Sequence, residues 1–158
     1  MALDYVALKN YIASVPEWAA MPQNSDTAFY IAEQLNKTSI PSYIVWKTSV
    51  SADEIMRNGL DWTRVDNLSI GKARIWDWMT KLDTLNPSKV NIRAGIDATW
   101  VGTAADLAVR AVVYTHCKRS ATVIEKLFAI GSGTDVSPST MGYEGPIPYT
   151  EIISAWGS

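Results

Sequence analysis

Residues 60–119 read LDWTRVDNLSIGKARIWDWMTKLDTLNPSKVNIRAGIDATWVGTAADLAVRAVVYTHCKR, and this stretch decides the fold. Four of the seven tryptophans lie in it, together with the only histidine, His116, and the only cysteine, Cys117. Apolar residues recur at spacings of three and four, which is the period of an amphipathic helix. The stretch is rich in large rings and poor in reactive side chains. It therefore predicts a mainly α-helical protein built for packing and assembly rather than for catalysis.

The first of the two principal helices predicted in this stretch runs from Leu68 to Leu82. Its apolar stripe includes Trp78 and Met79, whereas Trp76 points away from that stripe. We therefore expect Trp78 to lie in the core, together with Trp100 farther along the chain.

The second principal helix has the best pattern in the chain and begins at Thr103, which forms a capping pattern with Asp106. It ends at Gly131, since glycine is typical of a helix C-terminus. The apolar residues that step along it by three or four positions are Leu107, Ala111, Tyr114, Cys117, Ala121, Ile124 and Phe128. The pattern thus predicts one long helix, with Cys117 as a small core residue.

The N-terminal third of the chain also carries helix signals. A helix is predicted from Leu3 to Ser14, and Pro16 ends it because the residue before a proline avoids the α conformation. Asn24 is the predicted N-cap of the next helix. The β-branched and aromatic run from Tyr43 to Trp46 is either a short strand or an extended segment packed on helices.

The composition changes at residue 131. Residues 131–140 read GSGTDVSPST, which is typical of a linker or a surface arm. Aromatic residues return in residues 141–156, MGYEGPIPYTEIISAW, among two prolines and two glycines. We therefore predict a helical bundle over residues 1–130 and an extended C-terminal arm over residues 131–158, which packs back on the domain or docks into a neighbour.

Bulk properties exclude several classes of protein. A length of 158 residues fits one domain, and a single cysteine forms no internal disulfide. No stretch approaches the ~18 apolar residues of a membrane span, and the N-terminus lacks the pattern of a secretory signal, so we expect a cytoplasmic origin. The net charge of −2 divides into −1 over residues 1–50, +2 over 51–130 and −3 over 131–158. This is not the basic patch of a nucleic-acid-binding protein.

Residues that suggest catalysis are few. His116 and Cys117 are neighbours in a predicted helix and do not face each other, so a nucleophilic pair would need partners from elsewhere. Four aspartates lie near tryptophans, a setting that suits sugar chemistry, but helix caps and surface ion pairs explain them equally. These are Asp61, Asp66, Asp97 and Asp106. Four zinc ligands at suitable spacing are absent. We therefore predict no catalytic, cofactor-binding or metal-binding residues.

Five runs that together make up half of the chain are distributed over most of its length: LKNYIASVP, NSDTAFYIAEQLN, DWTRVDNLSIGKARIWDWM, NIRAGIDATWVGTAADLAVRAVVYTHCKR and MGYEGPIPY. Together they resemble a small protein encoded in the structural-gene clusters of tailed bacteriophages and prophages. The resemblance implies a non-catalytic virion protein of the head–tail connector or adaptor type, which forms a homo-oligomeric ring below the portal. Such adaptors have a helical body and an extended C-terminal arm that docks on the portal or on a neighbouring subunit.

On this resemblance, the chain is made in the host cytoplasm and resides in the virion, with copies of itself and portal or tail proteins as partners. Exposed aromatic residues mark protein interfaces, although burial in the core is the alternative for each ring. The predicted interface residues are Trp18, Trp46, Tyr143, Ile147, Tyr149, Ile152 and Trp156. Basic residues of the long helix form either a solvated face or, in a ring, a channel surface with non-specific contact to packaged DNA. These are Arg110, Lys118, Arg119 and Lys126.

Three alternatives stay open at this point. The first is another virion part, a capsid decoration or tail protein. The second is a small cytoplasmic enzyme that uses His116 or an aspartate near a tryptophan. The third is a DNA-binding accessory protein. If the C-terminal segment is an arm, deleting residues 132–158 leaves a folded helical monomer that no longer joins the particle.

Overall fold

The computed structural model describes residues 3–158, and it is mainly α-helical, as the sequence predicts. The helices in this range are α1 (Tyr5–Ser14), α2 (Pro16–Ala19), α3 (Ser25–Leu35), α4 (Ala52–Arg57), α5 (Trp62–Asp66), α6 (Ile70–Thr80), α7 (Val90–Thr99), α8 (Ala104–Cys117), α9 (Val123–Leu127) and α10 (Tyr149–Trp156). The short strands are β1 (Ile44–Trp46), β2 (Val50–Ser51), β3 (Thr84–Leu85) and β4 (Lys118–Ser120). Strand β1 pairs with β4, and β2 pairs antiparallel with β3.

The chain divides into two compact units, and each has its own apolar core. The terminal unit comprises the chain up to Tyr43 and again from Ser120 to Ser158, and the central unit is Ile44–Arg119. The division predicted from the sequence, at residue 130, differs from this one. The reason is that the chain beyond Ser120 packs with the N-terminal helices instead of continuing the central stretch.

The terminal unit is built around α10, which packs against both α1 and α3. Ile152 and Ala155 are three positions apart on α10, and both are fully buried. Ile147 is buried just before the helix, where its N–H donates to Asn36 Oδ1 (2.8 Å) and its carbonyl oxygen accepts from Asn36 Nδ2 (3.0 Å). The prediction of an extended arm is therefore wrong for this part of residues 131–158, because prolines and glycines precede a short helix whose apolar face completes a core.

The central unit buries Trp76 and Trp100, whereas Trp78 is 64% exposed. The prediction for Trp100 is confirmed, whereas the prediction that Trp78 lies in the core and that Trp76 points away from the buried stripe is wrong. Helix α6 packs on α7 at Gly95, where an added Cβ atom would lie 3.1 Å from Met79 Sδ. Trp76 and Met79 are three positions apart and share this buried face. Two positions along a helix rotate a side chain by about 200°, so Trp78 faces away.

The single long helix predicted beyond Thr103 is two helices. Helix α8 ends at Cys117, the next three residues form β4, and Thr122 is the N-cap of α9. Thr122 Oγ1 accepts from the Glu125 N–H (3.4 Å), and Glu125 Oε2 accepts from the Thr122 N–H (2.9 Å). This capping box starts a new helix, and the pairing of β4 with β1 fixes the extended backbone before it.

The buried face of α8 also differs from the predicted stripe. Val109, Val113 and Cys117 are buried, while Leu107 is 42% exposed. Burial of Cys117 is as predicted. The apolar spacing continues from α8 into α9 because the apolar residues of α9, such as Ile124, are also buried, but in the core of the terminal unit.

Local signals before residue 60 are largely confirmed. Asn24 Oδ1 accepts from the Thr27 N–H (2.9 Å) and caps α3. Helix α1 begins two residues later than predicted, because Asp4 Oδ1 accepts from the Ala7 N–H (3.0 Å) and caps it. The run from Tyr43 to Trp46 contains strand β1, which settles the choice between a strand and an unpaired extended segment.

Candidate functional site

Two of the predicted interface rings, Trp18 and Trp156, lie in one groove of the terminal unit. The groove has a volume of about 150 Å³, and Ile12 and Met21 contribute to its walls. Trp18 is held at the end of α2 by an edge-to-face contact with Tyr11, with ring centroids 6.1 Å apart. Both tryptophans are partly exposed.

The chemistry of this groove is that of a receptacle for an apolar side chain. Of the residues that line it, Lys9 is the one with a charge, and its Nζ donates to the backbone oxygen of Ser158. Aromatic and thioether walls beside a single ammonium suit an aromatic or aliphatic anchor from another protein. The groove is too small for most drug-sized ligands, whose sites run from about 300 to 1,000 Å³.

The other predicted interface residues are held inside the units. Trp46, Ile147 and Ile152 are buried in the two cores. Tyr143 is partly buried and donates to the Pro146 carbonyl oxygen (3.0 Å). Tyr149 stacks on Phe29 with ring centroids 3.9 Å apart. These five side chains therefore build the fold, which was the alternative for each of them.

Three large aromatic side chains that the sequence did not single out as interface residues are more than half exposed. Phe29 and Trp62 are each 57% exposed, and Trp78 is 64% exposed. The signal for Phe29 was present in the sequence, since Asp26, Tyr30 and Glu33 share its helix face and none of them is buried. The exposure of Trp78 was not predicted, because Trp78 lies next to Met79 on the apolar stripe that the sequence favoured.

The four basic residues proposed for a channel surface do not lie on one helix. Arg110 is on α8, Lys118 and Arg119 are in β4, and Lys126 is on α9. Arg110 Nη1 lies 3.4 Å from Asp97 Oδ1, and Lys126 Nζ lies 5.5 Å from the centre of the Tyr43 ring. The face proposed from the sequence required one continuous helix, so its basis is lost.

Lys126 also borders a second, larger groove of the terminal unit, with a volume of about 370 Å³. Tyr11 and Leu127 contribute to its walls, and Ile40 at its edge is 93% exposed. Lys126 is again the one charged residue among those that line the groove. This groove too is suited to apolar contact rather than to acid–base chemistry.

His116 and Cys117 are directed into different environments. His116 Nε2 donates to the Asn58 carbonyl oxygen (2.8 Å), and its Nδ1 lies 3.7 Å from Glu54 Oε1. Glu54 Oε1 accepts from Lys47 Nζ (2.9 Å). Cys117 is fully buried, and that burial raises the pKa of its thiol to about 12. The imidazole contacts Asn58 and Glu54, in and next to α4, whereas the thiol is buried in the core. The two side chains therefore do not form a nucleophile–base pair.

Three of the four aspartates near tryptophans have structural partners. Asp61 Oδ1 accepts from the N–H groups of Thr63 and Arg64 and caps α5. Asp97 Oδ1 accepts from Tyr114 Oη (2.8 Å). Asp106 is buried beside Arg64, and hydrogen bonds from Arg64 and Thr103 hold the pKa of its carboxyl below the ordinary value.

Within residues 3–158, no group of three or more histidine, cysteine, aspartate or glutamate side chains is arranged to hold a metal ion. None of the helices described there is long and apolar enough to cross a membrane. Comparison of the chain with protein-family models, curated proteins and solved structures gives no match in any of the three.

Proposed function

We propose that this chain is a non-catalytic structural protein of a bacteriophage virion, of the head–tail connector type. In this role it assembles with copies of itself and with portal or tail proteins. The phage assignment comes from the resemblance of the sequence, and the assembly role is supported by the surfaces of the two units.

The observation that carries the assembly role is the exposure of Phe29, Trp62 and Trp78, each by more than half of its side chain. Burying one large apolar side chain stabilises a complex or a fold by roughly 1.5–3 kcal/mol relative to leaving it in water. At protein interfaces a few residues contribute most of the binding energy, and tryptophan is over-represented among them. Surfaces with such rings are therefore expected to be covered by protein in the assembled state.

The rings are distributed over both units, which suits a subunit that contacts more than one neighbour. Phe29 belongs to the terminal unit, and Trp62 and Trp78 belong to the central unit. A subunit of a ring must offer two different surfaces, because each interface repeats by rotation. The groove beside Trp18 and Trp156 supplies a further receptacle for a portal or tail segment. The proposal needs no extended arm.

Immunogold electron microscopy of purified phage particles tests the proposal, with a peptide tag placed after Ser158, which is exposed. Gold at the single vertex where the tail joins supports a connector. Gold spread over the shell or along the tail would instead assign the chain to a capsid decoration or tail protein. Protein that stays in the lysate, with unlabelled particles, would overturn the virion role. Particles without the tag provide the background.

A further inference from the structure

The two units carry opposite net charges. The terminal unit has eight acidic and three basic side chains, whereas the central unit has eight acidic and eleven basic ones. Their formal charges are therefore −5 and +3. Within a chain whose total charge is only −2, this separation gives each unit a surface of its own sign.

Helix α3 of the terminal unit displays an acidic face, which we define as Asp26, Phe29, Tyr30 and Glu33. These residues occupy positions i, i+3, i+4 and i+7 and therefore lie on one side of the helix, where all four are exposed. Tyr30 Oη donates to Glu17 Oε1 (2.8 Å), which adds a third carboxylate at the margin of this face. Neither Asp26 nor Glu33 has an ion-pair partner within residues 3–158.

Helix α6 of the central unit displays a face of the opposite charge. We define this basic face as the stripe on and just past α6 formed by Ile70, Arg74, Trp78, Lys81 and Leu82. Ile70 is 81% exposed and Leu82 is 49% exposed, so the apolar part of the stripe is open to solvent. Arg74 and Lys81 are exposed and form no ion pair with any residue that the structure describes. Asp77 lies at its margin and leaves the face with a net positive charge.

The two faces match each other in chemistry and in the spacing of their charges. Asp26 and Glu33 are seven positions apart, about two helical turns, and so are Arg74 and Lys81, and each pair of like charges flanks a large aromatic side chain. Complementary charges around an apolar centre select the partner and fix the register of an interface. A contact between two different faces of the same chain leaves one free face at each end, so it propagates into a ring or a filament.

We propose that the acidic face of one copy docks onto the basic face of a second copy. This inference rests on the self-assembly contained in the proposed function and names the surfaces that carry it. Phe29 and Trp78 lie at the centre of the contact, and the four charges pair across it as Asp26 and Glu33 with Arg74 and Lys81.

Sedimentation velocity on the purified full chain tests the contact through two charge-reversed variants. The first carries Asp26→Lys with Glu33→Lys, and the second carries Arg74→Glu with Lys81→Glu. The unsubstituted chain is expected to associate with increasing concentration, and less so in high salt, because exposed charges are screened. Each variant alone places like charges opposite each other, which should raise the dissociation constant by at least about tenfold.

Mixing the two variants in equal amounts distinguishes a specific contact from general charge effects. In the mixture each contact between the two different variants joins opposite charges, so association is expected to return. Control pairs apply the same charge changes elsewhere, at the exposed positions Asp53→Lys with Asp66→Lys and Arg57→Glu with Lys89→Glu. These controls should associate like the unsubstituted chain.

Two results would overturn the proposed contact. One is an unsubstituted chain that stays monomeric at all concentrations in low salt. The other is a mixture that fails to associate although both variants give the circular dichroism of the folded chain. Neither result bears on gold labelling of particles, so failure of this contact and failure of the proposed function are separate outcomes.

Discussion

The indole rings of Trp76 on α6 and Trp100 after α7 meet edge to face, with ring centroids 5.2 Å apart and an angle of 78° between the planes. Both side chains are almost completely buried, and neither indole N–H has a hydrogen-bond partner within residues 3–158. The pair therefore stabilises the central unit through apolar burial and ring geometry rather than through hydrogen bonding.

Replacement of the buried Trp76 is expected to destabilise the central unit far more than replacement of the exposed Trp78. Trp76→Ala should lower the free energy of unfolding by about 3–5 kcal/mol, because it removes a large core side chain and leaves a cavity. Trp78→Ala, at a position 64% exposed, should change it by less than about 1 kcal/mol. Urea unfolding of both variants measures the difference. Equal losses would contradict the orientation of α6.

Sequence periodicity predicts that α6 is a helix but does not predict which of its faces is buried. A helix over residues 68–82 was correctly predicted, with α6 covering Ile70–Thr80. Met79 lies three positions after Trp76 and one after Trp78, so an apolar stripe that contains Met79 can include either tryptophan. The contact of Trp76 with Trp100 selects the stripe through Trp76, and Trp100 lies outside this helix. Periodicity within one helix contains no information about that contact.

The split of the long helix has a similar cause. The pattern of α8 continues into α9 without interruption, and the pairing of β4 with β1 joins residues more than 70 positions apart. Among local signals, only the Thr122–Glu125 capping box marked the break. At the candidate site the sequence predicted Trp18 and Trp156 as interface rings, but their position in one groove depends on tertiary packing.

Two adjacent isoleucines on α10 provide a matched test of its role in the core. Ile152 is fully buried, whereas Ile153 is 41% exposed. Ile152→Ala should lower the free energy of unfolding of the terminal unit by about 2–5 kcal/mol. Ile153→Ala should cost less than about 1 kcal/mol, because much of that side chain already contacts water. Thermal unfolding followed by circular dichroism compares them, and a small effect of Ile152→Ala would restore the idea of a dispensable arm.

Deletion of residues 132–158 is expected to unfold the terminal unit, contrary to the folded monomer that an extended arm would leave. The deletion removes the buried side chains of Ile147, Ile152 and Ala155 and exposes the faces of α1 and α3 that they cover. Loss of helical circular dichroism and rapid proteolysis of residues 3–43 are the expected readouts. A truncated chain that keeps the cooperative unfolding of the full chain would contradict this packing.

The buried carboxylate of Asp106 makes part of the stability depend on pH. Hydrogen bonds from Arg64 (2.7 Å from Nη2) and from Thr103 lower its pKa in the folded chain below the ordinary value of 3.8. A lowered folded pKa contributes stability that is fully present above pH 3.8 and is lost as the pH falls through the folded pKa. Asp106→Asn should therefore have a lower free energy of unfolding than the unsubstituted chain at pH 7, and this deficit in stability should become smaller below pH 4.

Urea unfolding of the unsubstituted chain and of Asp106→Asn between pH 7 and pH 2 measures this deficit. Asp53→Asn is the control, since Asp53 forms an exposed ion pair with Arg57 (2.6 Å) that is expected to contribute about 0–1 kcal/mol. A deficit of Asp106→Asn that is constant over this range would show that the charge of Asp106 has no part in it.

The single cysteine reports on the integrity of the central core. Burial raises the pKa of Cys117 to about 12, so at pH 8 roughly one molecule in ten thousand carries the reactive thiolate. Labelling with a thiol reagent at pH 8 should be at least about 100-fold slower in the folded chain than in urea, because the side chain is also inaccessible. Cys117→Ala gives the background of the assay. Rapid labelling of the folded chain would show an accessible thiolate beside His116, and it would make cysteine-based catalysis a better explanation of this sequence than assembly.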